Sequence, residues 1–499
     1  MEAAASVEVI ESVRPLLAVA VALAAAAAIL LLHGRDNLRD MATLCASVVM
    51  FLIVASMAPV VLAGGTVEYT MFQILPGADF AFRVDALGMV FASVSSFLWM
   101  AAAVYSIGYM RSLEEHAQTR FFACFAVSLA AAVGGAFAAN LFTLVIFYEA
   151  LSLITYPLVY HHEDEEAWRG SRTYLVYLAG ASKTALLAAL ALTYYLVGSL
   201  DFVPGGLLDG VAASPLLLSV IYLCYLAGFA KAAIMPLHAW LPSAMVAPTP
   251  VSALLHAVAV VKMGVFCVLR VIFNVFGVGL MENLSLGVAT AYLVSFTIIT
   301  ASIYALTRDD LKARLAYSTV SQLSYIILGA ALLSSSAMVG GIVHIAGHAM
   351  SKITLFFCAG SIYCASRRKK ISQLAGIGRK LPWTMSAFFI ASLGMIGIPP
   401  SGGFISKWYL VLGAVEAHEL VFLVVLLVST VLNAAYFLPV TYTAFFEKEN
   451  AGQDREAGEP KEIREIPLVA APLVATALLS LLMGFYPGYF LTLARGVVG

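Results

Sequence analysis

The chain has 499 residues, of which 62% are hydrophobic and 11% charged. A typical soluble domain is about 25% charged, so this composition describes a protein embedded in lipid with little left over for a soluble domain. A net charge of −1 excludes an electrostatic nucleic-acid binder.

Glu2, Glu8, Glu11 and Arg14 precede the first apolar run, without the positive segment of a cleavable leader, so none is expected. A membrane span needs about 20 apolar residues. Fourteen such segments follow, at 12–32, 41–63, 86–110, 121–138, 140–160, 173–197, 215–245, 249–273, 284–306, 314–334, 337–366, 382–416, 419–446 and 467–494. The seventh and twelfth are interrupted. Between the second and third lies the polar stretch Gly64–Asp85, where TVEYTMF followed by ADFAFRV predicts a short hairpin. Glu447–Glu465 is an extended hydrophilic linker. The expected fold is an all-α polytopic membrane protein of about 14 transmembrane helices.

Positive charge sets orientation. With the N-terminus outside, the odd-numbered connections face the cytoplasm. They carry Arg35, Arg39, Arg111, Arg120, Arg169, Arg172, Arg308, Lys312, Arg314, Arg367, Arg368, Lys369, Lys370, Arg379, Lys380, Lys448, Arg455, Lys461 and Arg464. Only Arg14, Arg83 and Arg495 then face out. One missed helix would scramble every later loop, so the asymmetry supports the span count. Both termini are expected outside, in a cell (inner, cytoplasmic) membrane.

An internal repeat is readable in the spacing. YEALSLITY (Tyr148–Tyr156) matches YSTVSQLSY (Tyr317–Tyr325) at an offset of 169 residues, and SKTALL (Ser182–Leu187) matches SKITLF (Ser351–Phe356) at the same offset. Spans five and six therefore correspond to ten and eleven. The copies are an odd number of helices apart, so they are expected to be inverted in the membrane, as in transporters with broken helices. IMPLHAWLP in span seven and GIPPSGGF in span twelve supply the breaks, because proline removes a backbone donor and clashes with the preceding turn. Lys231 lies five residues before Pro236 and Lys407 seven after Pro400.

The ionisable residues within the spans are Glu149, Lys183, Lys231, His256, Lys262, His344, His348, Lys352 and Lys407, with Arg270 besides. A charge at the bilayer centre costs about 2.5–3.5 kcal/mol on insertion scales. Each has a bland alternative. Lys183 can snorkel to the interface. His344, His348 and Lys352, at i, i+4 and i+8, share a helix face and can be satisfied polar packing. Glu149, without an acidic neighbour, calls for a buried ion pair. Nine such groups in one bundle favour a proton relay over nine separate accidents. HIAGH lacks the glutamate of HExxH, so no metal site is expected there. The cysteines Cys45, Cys124, Cys224, Cys267, Cys358 and Cys364 form no CxxC pair, which argues against disulfides, zinc and iron–sulfur clusters. No nucleotide-binding glycine motif is present, so neither a cofactor nor a catalytic or redox site is expected in this chain. Asp79, Asp85, Asp201, Asp209, Glu282, Glu416 and Glu419 read as solvated loop acids. HHEDEE (His161–Glu166) reads as a charged helix end, with collection of cations near Glu149 as the alternative.

The segments LVIFYEALSLITYPLV, KAAIMPLHAWLP, APTPVSALLHAVAVVK, LKARLAYSTVSQLSYI, HIAGHAMSKITLFFCAG and GIPPSGGFISKWYLV together resemble the antiporter-like membrane subunits. These occur in respiratory NADH:quinone oxidoreductase, in group 4 membrane-bound hydrogenases including hydrogenase-4, and in Mrp-type cation/proton antiporters. The resemblance runs from about span three to span thirteen. Because the chain ends soon after its last span, it looks most like the Mrp D subunit or its hydrogenase-complex relatives.

This resemblance implies two inverted five-helix repeats with helices 7 and 12 broken. The N-terminal helices would occupy 1–120, a first half-channel 121–275, a second 276–446, and a linker with the last helix 447–499. It implies that Glu149 pairs with Lys231, that His256, Lys262, His344, His348 and Lys352 continue the relay, and that Lys407 serves the opposite half-channel. The repeat relates Lys183 to Lys352 and puts Ser318 where Glu149 would recur. The implied function is proton movement, with Na⁺ exchange as an open alternative, in a multisubunit complex. The implied partners are related antiporter-like subunits, small membrane subunits, and a redox or hydrogenase arm. The rivals are a stand-alone solute transporter, which needs a substrate-sized cavity, and a purely structural subunit.

Overall fold

Long apolar runs must satisfy every backbone group internally when water is absent, and they do so as helices. The computed structural model describes residues 8–448 and 462–499. Most of the hydrophilic stretch Glu447–Glu465 lies outside them. Among the described residues, eleven helices are long and apolar enough to cross a membrane. They are α1 (Arg14–Leu31), α2 (Asp36–Leu62), α3 (Ala86–Ser112), α4 (Gln118–Ala136), α5 (Leu141–Val159), α6 (Glu165–Val197), α8 (Thr249–Phe276), α9 (Leu286–Leu306), α11 (Ser335–Ser366), α13 (Leu420–Phe446) and α14 (Pro467–Phe485).

The other expected spans are helical too. α7 is short (Pro215–Gly228), α10 (Leu311–Ala331) is more polar, and the twelfth is split into α12a (Pro382–Ile396) and α12b (Gly402–Glu416). A further helix, Gly488–Val498, follows α14.

Local chemistry sets these boundaries. Asn140, Asp164, Ser214 and Asp310 accept the amides of Thr143, Ala167, Leu217 and Ala313, and so cap α5, α6, α7 and α10. α12a stops at Gly397, whose φ of +87° is the left-handed conformation that closes a helix C-terminus and that only glycine adopts without strain.

The expected hairpin is present. β2 (Thr66–Leu75) pairs antiparallel with β3 (Ala78–Val84), with Val67 opposite Val84 and Tyr69 opposite Phe82. A short β1 (Val9–Glu11), which the sequence pattern did not suggest, adds to β2 in parallel. The sheet is tied to the ends of α4 and α5: Ala139 N donates to Ala81 O at 3.0 Å, and Ala81 N to Thr143 Oγ1 at 3.2 Å.

The connections sort onto two faces. On the sheet face, Leu200 N donates to Gly77 O and Leu207 N to Asn274 O. On the other, Arg111 pairs with Asp40 at 2.5 Å, Lys312 Nζ donates to Ala247 O at 2.6 Å, and Leu311 N to Lys369 O at 3.0 Å. Most of the basic connections meet on this second, basic face.

α11 is the axis of the bundle. Its 32 residues are almost all buried, and it packs against α3, α10, α12a, α12b and α14.

Candidate functional site

The two interrupted helices each bring a lysine to the break, Lys231 within the irregular turn and Lys407 by the reach of its side chain from the regular helix α12b. α7 ends at Gly228, and Lys231 sits in the following single turn, Ala230–Ala232. The groups freed there find partners. Trp240 Nε1 donates to Ala230 O at 3.0 Å and Met235 N to Thr297 Oγ1 at 3.2 Å. Lys231 is fully buried. Its Nζ donates to Tyr148 O at 2.5 Å and lies 3.2 Å from the centre of the Tyr148 ring, and its own N donates to Tyr148 Oη at 3.2 Å. At the second break, Lys407 Nζ donates to Met395 O at 2.9 Å and Ile396 O at 3.0 Å. Those are carbonyls at the C-terminal, negative end of α12a, where a cation is stabilised.

Glu149 has a different partner from the one the resemblance implies. Its Oε2 accepts from Lys183 Nζ at 3.2 Å, not from Lys231. The reason is geometric. Lys231 points to the backbone of Tyr148, the preceding residue, while Lys183 comes from the facing turn of α6. Lys183 lies in a π-turn, Ser182–Leu186, and is 59% exposed, with Glu149 24% exposed.

The pair has a counterpart 169 residues on. Lys352 Nζ donates to Ser318 Oγ at 2.5 Å and to Leu315 O at 3.3 Å. The contact Lys183–Glu149 therefore recurs as Lys352–Ser318, with serine in place of the acid and the lysine fully buried.

A polar network occupies the interior between α8, α10, α11 and α12b. Lys262 Nζ meets His348 Nδ1 at 2.6 Å. One turn along α11, the His348 and His344 rings are 6.0 Å apart. His344 bonds Ser406 Oγ at 2.8 Å and Gln322 Oε1 at 3.0 Å, and stacks on Tyr325 at 5.6 Å. Lys407 lies 4.9 Å over the same Tyr325 ring. His256, in a π-turn of α8, packs 4.7 Å from Phe356, and neither of its ring nitrogens has a hydrogen-bond partner among the described residues. The arrangement thus brings Lys262, His348, His344 and Lys407 into one chain of neighbours. Lys231 with Glu149 and Lys183 forms a second group. Lys352 projects from α11 toward α10.

Two residues read differently in the structure than in the sequence. Asp85 is no solvated loop acid. It caps α3, accepting from Gly88 N at 2.9 Å, and takes a two-pronged bond from Arg270 at 2.5 and 2.7 Å. Burial pushes the Asp85 carboxyl up, but the Arg270 guanidinium, with smaller help from Gly88 N and Arg83, holds it below the ordinary carboxylate value. Arg270 is 2% exposed. An arginine inside span eight had to have a partner, and that was the available signal. Likewise His161, in a loop read as solvated, is fully buried.

The geometry can be set beside known proteins. A family model described as "NADH:quinone oxidoreductase/Mrp antiporter, TM" matches residues 138–433, and one described as "NADH-Ubiquinone oxidoreductase (complex I), chain 5 N-terminus" matches 76–122. The chain is 34% identical over 373 residues to NADH-quinone oxidoreductase subunit N of Desulforudis audaxviator, covering 73% of this chain and 72% of that one. It is 32% identical over 480 residues to the A/B subunit of a probable K(+)/H(+) antiporter of Rhizobium meliloti, covering 90% of this chain and 47% of that one. It thus spans about half the length of the latter relative. The fold is similar to that of a chain in the Mrp complex from Dietzia sp., with a TM-score of 0.86 at 22% identity, covering 98% of this chain and 97% of that chain.

Proposed function

The chain belongs to the NADH:quinone oxidoreductase/Mrp antiporter family of membrane subunits, and on that premise we propose that it moves protons across the membrane as one subunit of a multisubunit energy-converting complex. In this reading the path runs along the intramembrane row, from Glu149, Lys183 and Lys231 through His256, Lys262, His348, His344 and Lys352 to Lys407. The two halves, spans four to eight and nine to thirteen, are inverted copies, and the whole has fourteen spans with both termini outside. The recurrence of the Glu149–Lys183 contact as Ser318–Lys352 supports the repeat. The clustering of basic connections on one face supports the orientation.

One observation carries the reading. Lys262, His348 and His344 are neighbours in series in the bundle interior, Lys262 bonded to His348 and the two imidazole rings 6.0 Å apart, all at 1% exposure or less, and among the described residues no carboxylate is a hydrogen-bond partner of these three side chains. A structural role would be filled more cheaply by apolar residues of similar volume. A line of groups that can each hold or release a proton is what conduction through a membrane requires. Na⁺ exchange is the narrower alternative within this reading.

The test is proton-linked transport in vesicles carrying the assembled complex. Lys262→Ala removes the neighbour of His348 and interrupts the series. We expect at least a tenfold loss of transport, a contribution of about 1.4 kcal/mol or more to the barrier, with assembly retained. Wild-type transport by an assembled Lys262→Ala complex would favour a structural subunit instead.

A further inference from the structure

We propose that Glu115, His116 and His161 form a binding site for a first-row divalent transition metal, with Zn²⁺ the ion whose ligand set they match. Glu115 and His116 stand in the turn between α3 and α4, and His161 stands just beyond α5, so the cluster joins two connections of the basic face. One ligand atom from each of the three lies within 4.8 Å of the others. The rings of His116 and His161 stack with centroids 4.7 Å apart. His161 Nε2 is 3.7 Å from Glu115 Oε2, and His162 Nδ1 lies 3.7 Å from the same oxygen.

His161 is the observation that points to a ligand. It is fully buried, and neither of its ring nitrogens has a hydrogen-bond partner among the described residues. A buried imidazole left in that state carries its full desolvation penalty, and an ion bound to one nitrogen would remove part of it. The backbone around the cluster is held in place. Glu115 N donates to Met110 O at 3.0 Å, Gln118 Nε2 to Glu115 O at 3.1 Å, and Arg120 Nη2 to His161 O at 3.3 Å. Arg120, whose guanidinium also donates to His161 O, has its ion pair with Glu163 and not with Glu115.

The donor chemistry selects the ion. Two imidazoles and a carboxylate, with a fourth position for water or for His162, make a set that suits Zn²⁺. Ca²⁺ and Mg²⁺ prefer oxygen ligands and would leave both imidazoles unused. Tetrahedral ligands at about 2.0–2.1 Å from zinc sit about 3.3 Å from one another. The cluster therefore has to close by about 1.5 Å at its widest, and exposed His116 is the side chain free to make that movement. A bound ion would fasten the α3–α4 turn to the end of α5.

The experiment uses the purified full chain in mild detergent, stripped with chelator and titrated with Zn²⁺ in competition with a chromogenic chelator. One ion per chain is expected to bind, undisturbed by millimolar Mg²⁺. Outer-shell changes alone weaken zinc sites by about 10–100-fold, so His116→Ala and Glu115→Gln, which remove direct ligands, are each expected to weaken binding by at least tenfold. His418→Asn, at an exposed histidine in the turn between α12b and α13, should leave it unchanged. His161→Ala should behave as His116→Ala, and if it fails to fold, the exposed His116 and the shared Glu115 decide the matter. X-ray absorption at the zinc edge should report imidazole and oxygen ligands. No binding, or binding of equal strength in His116→Ala or Glu115→Gln, overturns the proposal.

Discussion

Gly264 is where α8 touches the turn that carries Lys231, and Gly264→Ala tests whether the placement of that lysine matters. A Cβ at Gly264 would lie 2.2 Å from both Ala232 N and the carbonyl carbon of Lys231. Comfortable heavy-atom contacts begin at about 3.5 Å, so helix and turn must separate by more than about 1 Å. Both obstructing atoms are backbone, and no rotamer change relieves them. On its other side the turn is held by Tyr148, through Lys231 N to Tyr148 Oη at 3.2 Å and Lys231 Nζ to Tyr148 O at 2.5 Å. An overpacked core costs about 1–3 kcal/mol, which a bundle of this size can survive. A misplacement of about 1 Å in a reacting group can cost about 10²-fold in rate. The expected result is an assembled complex with proton-linked transport in vesicles reduced by one to two orders of magnitude, on the scale of about 10²-fold. Gly279→Ala, where an added Cβ meets nothing within 4 Å, is the control. Full transport by assembled Gly264→Ala would refute the claim that the relay depends on how the Lys231 turn is held.

The remaining predictions concern Lys407 and the Asp85–Arg270 pair. Lys407→Arg keeps the charge and can still donate to the Met395 and Ile396 carbonyls, but arginine does not release its proton in a protein; folding should be normal and vesicle transport abolished, and an active arginine variant would make Lys407 an electrostatic fixture only. Lys407→Glu would set a carboxylate against those two carbonyl oxygens, so it should assemble poorly, as size-exclusion of the detergent extract will show. Asp85→Asn removes the negative charge and one of the two oxygens that face Arg270, which stays buried with neutral acceptors only, Asn274 Oδ1 at 3.2 Å among them; a loss of about 3 kcal/mol is expected, the low end for a broken buried pair, because Asp85 keeps 27% exposure. Since the Asp85 carboxyl is held below its ordinary value in the folded state, the unfolded chain takes up a proton at higher pH than the folded one. The pair's stabilisation is thus complete at neutral pH and fades as pH falls through the folded value. Thermal unfolding followed from pH 7 to pH 3 should show that acid-side decline in the wild type and a shallower one in Asp85→Asn.

Much of this was legible because charge is scarce in an apolar chain. Lys231 and Lys407 were conspicuous beside Pro236 and Pro400; the structure puts Lys231 in an irregular turn, and Lys407 on the regular helix α12b with its Nζ at the carbonyls where α12a ends. The hairpin followed from alternation in TVEYTMF and ADFAFRV. Partners were harder to read, since they depend on where a long side chain points. Glu149 bonds Lys183 of α6, while Lys231 turns to the backbone of the preceding residue Tyr148, and no spacing in the sequence records which way either side chain turns. Asp85 and Arg270 are 185 residues apart and meet only when α3 and α8 pack. Glu115, His116 and His161 come from two loops whose composition alone reads as solvated charge.

The lysines of the site share a feature that bears on how a relay could work. Lys231 is held by the carbonyl of Tyr148, Lys352 by that of Leu315 and the hydroxyl of Ser318, and Lys407 by the carbonyls of Met395 and Ile396. Lys262 has an imidazole, His348. None of the four has a carboxylate within hydrogen-bond reach among the described residues. A carboxylate partner would lock the ammonium form, because loss of the proton would strand an unpaired anion in the interior, at a cost of several kcal/mol. A carbonyl or hydroxyl oxygen accepts a hydrogen bond from an ammonium and from a neutral amine alike, so the partner stays satisfied in either state. The single carboxylate of the row, Glu149, is instead matched with Lys183, which is partly exposed on the flank of the bundle. In the proposed relay, neutral partners leave the interior lysines able to hold or release a proton, and the half-exposed Glu149–Lys183 pair is the end of the row that can be met from outside the subunit.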